Sequence, residues 1–282
     1  MARVEELSVD EIRKRFVEGR QPLTQQILNR LQRDQRQGVQ RLYAALKRRF
    51  ERERDERLRL DAMRHFERVL WKSGVHDIAG VDEAGVAPLA GPVVAAAVVF
   101  PPETEIAGVD DSKRLDPQTR ATLAVEIRAR ASGVAVGIAT VEEIDRLNIY
   151  HAGLLALRRA LLALATTPSF VLVDARRIPE CPVPQRGIIH GDALSLTIAA
   201  ASIIAKTTRD AHMEELDLRY PGYGFAAHKG YPTPQHETAL RSLGACPIHR
   251  RSFAPVRQAL GLEPIQELLF EPPPVPPEPS GP

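Results

Sequence analysis

Two stretches decide what this chain can fold into. Ile78-Ala79-Gly80-Val81 and Val93-Val94-Ala95-Ala96-Ala97-Val98-Val99-Phe100 consist almost wholly of small and β-branched residues. Runs of this kind read as strands covered on both faces, because a half-exposed strand alternates apolar with polar positions. Asp82 and Glu83 end the first run, and the turn Gly85-Val86-Ala87-Pro88-Leu89-Ala90-Gly91-Pro92 leads into the second. Further on, Leu196–Ala205 is apolar on nearly all sides, which marks a buried helix, and its small residues allow close approach to a sheet.

The remaining segments fit the same layered plan. A helix is expected from about Asp116 to Ala131, with Asp116 as its cap and Pro117 at its first position. Val134–Thr140 reads as a third strand, Asn148–Ala165 as an amphipathic helix and Phe170–Asp174 as a fourth strand. Ile188-Ile189-His190 reads as a short fifth strand, followed by a long helix over Ala193–Tyr220. Interleaved strands and helices make an α/β domain with a mixed sheet.

Residues 1–72 have a different texture. Ser8 and Glu11 form a capping box, Gly19 and Pro22 punctuate the first helix, and a second helix is expected over Thr24–Arg33. A long helix is expected over Val39–Trp71, and the charge run within it predicts either projection into solvent or a break near Arg52–Arg57. The chain's net charge of +2 conceals an asymmetry. Residues 1–72 hold 19 Lys+Arg against 12 Asp+Glu, a net of +7, and residues 73–282 a net of −5. A basic arm beside a carboxylate-rich body points to a polyanion as partner. At the other end, Pro272–Pro282 has seven prolines in eleven residues, which predicts an extended, disordered tail. The expected division is 1–72 as a basic helical extension, 73–262 as the α/β domain and 263–282 as the tail.

The composition excludes several classes. A 44% apolar content is ample for a core, and no segment has enough uncharged apolar residues to span a bilayer. The first ten residues carry four charges, unlike a secretory signal, and Cys181 and Cys246 are too far apart for a zinc knuckle. The expected setting is the reducing cytoplasm.

Four carboxylates stand where apolar elements meet loops: Asp82 and Glu83 after the first strand, Asp174 after the fourth, and Asp192 before the buried helix. Taken singly, Asp192 could be a helix cap and Asp174 the start of a turn. Together they would concentrate a charge that only cations can balance. Hard oxygen donors without thiols suit Mg²⁺ or Mn²⁺ in a two-metal phosphoryl-transfer site.

The sequence also resembles the ribonuclease HII family. The resemblance rests on Ile78–Gly85 and Pro88–Val94, then Asp111-Ser112-Lys113, Asn148-Ile149, Val171–Asp174, Gly191-Asp192, Ile198–Lys206, Arg209-Asp210, Tyr220–Phe225, His228–Tyr231 and His249–Phe253. It spans about residues 76–260, and Asp34–Gln40 is similar to the helical extension of some bacterial members. It implies an RNase H-like mixed β-sheet flanked by helices. It also implies cleavage of RNA in RNA–DNA hybrids and nicking of duplex DNA 5′ of embedded ribonucleotides, leaving 3′-hydroxyl and 5′-phosphate ends. Carried over by motif, Asp82, Glu83, Asp174 and Asp192 are the metal-binding catalytic residues. Tyr231 is the tyrosine that stacks on the sugar at the junction, and Ser112, Lys113 and Lys206 are phosphate contacts. A monomer is expected, with hybrid or ribonucleotide-containing duplex as partner and no membrane.

The chain departs from the family pattern beside the site. The turn that normally reads Gly-Arg-Gly is Gly85-Val86-Ala87, where the family's backbone approaches the ribose 2′-hydroxyl and its arginine meets a phosphate. Losing the guanidinium and adding a Cβ predicts weakened recognition of the junction. Asp174 is followed by Ala175-Arg176 instead of glycine and asparagine, and His190 replaces the lysine before Gly191-Asp192. These changes keep open a rival reading, a hybrid-binding protein with little or no cleavage.

Overall fold

The structure, a computed structural model, describes residues 4–262; the proline-rich tail lies outside the described residues. The N-terminal helices are α1 (Val9–Ile12), continued by a π-helical run over Arg13–Glu18, then α2 (Gln25–Arg33), α3 (Gln37–Met63) and α4 (His65–Lys72). The capping box at Ser8 and Glu11 forms as its sequence predicts. The charge run does not break α3, which continues to Met63 before the chain bends at Arg64. Lys47–Glu51, Arg49–Glu53 and Glu56–Arg59 pairs along its surface explain how so charged a segment stays helical.

The sheet comprises β1 (Ile78–Ala84), β2 (Val93–Val99), β3 (Gly133–Ala139), β4 (Phe170–Asp174) and β5 (Gln185–Ile188), in the order β3-β2-β1-β4-β5. The first three are antiparallel neighbours, whereas β4 runs parallel to β1 and β5 parallel to β4. Helices α5 (Pro117–Arg130), α6 (Val141–Leu147) and α7 (Ile149–Leu162) lie between the strands, and α8 (Gly191–Leu194) and α9 (Leu196–Arg219) come after β5. Three short helices follow, α10 (Phe225–His228), α11 (Pro234–Leu243) and α12 (Ala254–Ala259). This is a mixed sheet flanked by helices.

Strand β2 shows why its residues are small. Ala96 and Val98 face α9 and α5, while Val93, Ala95, Ala97 and Val99 face α7. Both faces are buried, so the period-two alternation separates two apolar layers. The fifth strand lies upstream of its expected place, at Gln185–Ile188, with Ile189 and His190 exposed. Gln185 and Arg186 conceal it in the sequence, because an edge strand tolerates polar residues.

The N-terminal helices divide among three apolar clusters. Residues Val4 to Leu46 form their own apolar cluster, with Phe50 against it. Leu60 and Met63 of α3 belong to the core beneath α9, and Phe66, Leu70 and Trp71 of α4 pack on Ile78, Leu172, Ile188 and Ile198.

Gly80 sets how close α9 lies to β1. A Cβ there would stand 2.1 Å from the carbonyl carbon of Thr197. Gly80→Ala is expected to destabilise the fold by about 2–3 kcal/mol, as overpacking of a rigid backbone contact does. Urea unfolding measures this, and an unchanged midpoint would refute the close contact.

Candidate active site

The carboxyl ends of two parallel neighbours carry the site. Val81 of β1 is level with Val173 of β4, so Asp82 and Asp174 follow at the same edge of the sheet. Alternation turns Asp82 towards α9 and Glu83 towards the α7 side. Gly191, at the start of α8, donates its N–H to Asp174 Oδ1 at 2.7 Å, which brings the next residue, Asp192, to the same edge. Strand ends around such a point are where α/β proteins gather ligands.

The electrostatics express this convergence. Asp82 is 5% exposed, and burial followed by repulsion from Glu83 and Asp174 holds its carboxyl well above the usual range. Burial also raises Glu83, against the pull of Arg176 and with a push from Asp174. Asp192 is raised by burial, then by Asp111 and Asp174. Raised carboxyl pKa values mean that the ionised cluster costs folding free energy, and that this cost grows as pH rises through the raised range.

Two cationic side chains offset part of it. Lys113 Nζ lies 3.6 Å from Asp192 Oδ2, and although burial lowers its pKa, Asp111, Asp192, Asp82 and Asp174 together hold it above its usual value. Arg176 Nη2 lies 3.2 Å from Glu83 Oε1, with its guanidinium over the Tyr150 ring. Among the described residues no group of three His, Cys, Asp or Glu side chains already stands at metal-holding spacing. The donor set nevertheless fits hard divalent ions. It is oxygen only, it is destabilised by its own charge, and Glu83 Oε2 is buried without a hydrogen-bond partner.

The remaining predicted residues fall into two groups. Ser112 is buried, and its hydroxyl meets Ser202 Oγ at 2.9 Å; Ser202 in turn pulls the Asp82 carboxyl down against the larger effect of burial. It therefore faces the protein interior. Lys206 Nζ pairs with Asp210 at 2.6 Å and lies 5.8 Å from the ring of Tyr231, which is partly exposed. The Gly85-Val86-Ala87 turn borders the same region, because the next stretch is tied to the Tyr231 loop by a Leu89 N–H to Gly230 C=O bond of 2.8 Å.

The turn itself is held from behind by two fully buried arginines to which the sequence alone assigns no role. Arg250 donates to the carbonyls of Val86 at 2.9 Å, Gly85 at 2.5 Å and Gly91 at 2.9 Å. Arg209 donates to Pro92, Lys229 and Ala90 at 3.0–3.1 Å. Burial, then repulsion from Arg209, pushes Arg250 down to about 9, so it remains charged at neutral pH. Gly85 has φ +95°, and a Cβ there would strike Arg209 Nε at 2.1 Å, so this glycine is obligatory. Ala87 is not among the positive-φ residues, so its methyl group adds no backbone strain.

Behind Tyr231 lies a neutral histidine relay. The Cys246 N–H donates to His249 Nδ1 at 3.0 Å, which leaves the His249 Nε2–H to donate to His236 Nε2 at 3.1 Å. His236 Nδ1–H then donates to the Tyr231 carbonyl at 2.9 Å. Burial, then His236, pushes His249 down to about 4, consistent with an uncharged pair. His190, by contrast, is exposed at φ 56°.

Comparison with known proteins agrees with this architecture. The family model described as Ribonuclease HII matches residues 79–256, and that of the Ribonuclease HII N-terminal domain matches residues 8–71. Ribonuclease HII of Anaeromyxobacter sp. (strain Fw109-5) is 57% identical over 268 residues, covering 95% of this chain and 85% of the relative. Ribonuclease HII of Geobacillus thermodenitrificans (strain NG80-2) is 52% identical over 233 residues, covering 83% and 90%. The crystal structure of ribonuclease H2 from Pyrococcus horikoshii OT3 aligns with a TM-score of 0.56 at 29% identity, covering 65% of this chain and 96% of that one. The sheet order, the carboxylates at its edge and these matches converge: the chain belongs to the ribonuclease HII family and is a metal-dependent endoribonuclease.

Proposed function

We propose that this enzyme cuts the RNA strand of RNA–DNA hybrids and nicks duplex DNA on the 5′ side of embedded ribonucleotides, leaving 3′-hydroxyl and 5′-phosphate ends. The observation that carries the reading is the meeting of Asp82, Glu83, Asp174 and Asp192 at one sheet edge, where each raised pKa records its neighbours. In this reading those four carboxylates hold two Mg²⁺ or Mn²⁺ ions. Bound there, the ions would supply activation of a water and charge stabilisation for the leaving 3′-oxygen. Lys113, whose side chain is largely exposed, exchanges Asp192 for a phosphate oxygen of the substrate. Ser112 steadies Asp82 through Ser202. Tyr231 offers its ring to the sugar beside the ribonucleotide, with Lys206 at its flank.

Recognition of the 2′-hydroxyl falls to the Gly85-Val86-Ala87 turn. Arg250 draws the carbonyls of Gly85 and Val86 inward. In a trans peptide the following N–H points the opposite way, so the amides of Val86 and Ala87 face outward. Those donors support retained contact with the 2′-hydroxyl, while the missing guanidinium removes a phosphate contact. Junction recognition is therefore weakened but not abolished, in a cytoplasmic setting; among the described residues no helix is long and apolar enough to cross a membrane.

Cleavage mapping on matched duplexes bearing one, four or many ribonucleotides tests the reading. Incision 5′ of the ribonucleotide in Mg²⁺ or Mn²⁺ is expected, and Val86→Arg with Ala87→Gly should raise incision at a single ribonucleotide about tenfold, the worth of one charge-assisted hydrogen bond. Hybrid binding without a cut would favour the non-cleaving alternative, and no gain on restoration would remove the role given to the turn.

In the same reading the basic extension adds phosphate contacts. Arg41, Arg48 and Arg52 are exposed at a spacing that places them on one stripe of α3. Replacing all three with Gln should reduce the slope of log affinity against log salt by about 2–3, near 0.9 for each phosphate no longer neutralised. An unchanged slope would assign these helices no contact with the duplex.

A further inference from the structure

We propose that Glu67, on α4 of the N-terminal segment, is a positioning residue for the catalytic centre. It holds Asp192, and through Gly191 also Asp174, by seating the joint between α8 and α9. The roles of Asp192 and Asp174 rest on the nuclease reading above; the mechanical coupling does not.

Glu67 is a carboxylate only 1% exposed, in a segment whose charge otherwise suggests an accessory arm. Its Oε1 accepts three bonds: from Ser195 Oγ at 2.7 Å, from the Thr197 N–H at 3.0 Å and from Thr197 Oγ1 at 2.9 Å. Ser195 and Thr197 are themselves buried. The carboxyl group thus sits on the first turn of α9, a helix of 24 residues, where the open N–H groups offer hydrogen bonds to an acceptor oxygen.

Ser195 is the hinge of the arrangement. Its side chain accepts the Ile198 N–H as the cap of α9, and its own N–H donates to the Gly191 carbonyl at 2.8 Å, closing α8. That single turn of helix carries Asp192, and the Gly191 N–H holds Asp174. On its other side the same turn of α9 rests on Gly80, two residues before Asp82. Three of the four carboxylates are therefore referred to one buried joint, and Glu67 is the group that fixes it from outside the sheet. Phe66, Leu70 and Trp71 anchor α4 against Ile78, Leu172, Ile188 and Ile198, so the carboxylate is delivered by a rigid element.

A second link ties the same segment to Lys113. Glu56 Oε1 accepts the Gly108 N–H at 2.9 Å, and Arg59 Nη2 donates to the Val109 carbonyl at 2.6 Å, bracing the stretch of chain that leads to Asp111-Ser112-Lys113.

Amide hydrogen exchange on the full-length protein, without metal, tests the proposal directly. In Glu67→Ala the amides of Gly191 and Thr197 should exchange about tenfold faster or more, while Ile203 and Ile204, deep in α9, stay unchanged. Glu67→Gln keeps the acceptor oxygen and should restore most of the protection. Midpoints for Mn²⁺ binding followed by calorimetry should weaken about tenfold or more in Glu67→Ala, as when a group behind a metal ligand is removed. If Glu67→Ala does not fold, Thr197→Val removes one of the three donors and should move the same amides in the same direction. Equal acceleration at Gly191 and Ile203, or none at Gly191, would overturn the proposal. A parent protein that binds no Mn²⁺ and cuts no hybrid would sink the nuclease reading while leaving the exchange result to decide this one.

Discussion

The burial of neighbouring carboxylates that repel one another is the constraint on which this structure depends. Asp82, Glu83 and Asp192 are each displaced from the usual carboxylate range by burial and by one another or by Asp174. A fold does not gather such charge for stability. In the function proposed above a divalent cation offsets it, and the oxygen-only donor set suits a hard one. The rest of the molecule can be read as the apparatus that holds these groups together against their own field.

That apparatus is unusually rich in buried charge. Arg209 and Arg250 direct their guanidinium groups to main-chain carbonyls of the loop over residues 85–92 and of Lys229. Charged donors to carbonyls fix a loop more firmly than apolar packing would, because each bond is directional and leaving one unmade in the interior is costly. The stretch over residues 85–92 and the Tyr231 loop are thereby set by the same pair of side chains. Glu67 performs the corresponding task for the start of α9.

Much of the plan is legible in the sequence. The β1 and β2 runs, the Asp116 cap of α5 and the apolar first half of α9 are strong local signals that tertiary packing reinforces. The four carboxylates stand out because each interrupts an apolar element. Helix α6 is harder to see, although Thr140 and Glu143 form a capping box before it, because the longer amphipathic pattern beginning at Asn148 dominates this stretch. Asn148, at φ 67°, ends one helix and caps the next. The motif around Ser112 suggests a surface contact, yet its hydroxyl turns inward to Ser202. Arg209, Arg250 and Glu67 carry no local signal of their roles. Apart from Lys229, 20 residues from Arg209, their partners lie 117–165 residues away in the chain, and nothing nearby tells a buried arginine from an exposed one.

Thermal unfolding decides most directly whether the carboxylates store repulsion that divalent ions relieve. Asp174→Asn retains an acceptor for the Gly191 N–H and removes one charge, so parent and variant are compared, each with and without Mg²⁺ or Mn²⁺. The metal-free variant should melt above the metal-free parent, by about 2–4 °C for each kcal/mol of repulsion removed. The parent should rise on adding either ion, and the variant should respond much less. A parent indifferent to both ions, with a variant that melts lower, would contradict stored repulsion as the organising constraint.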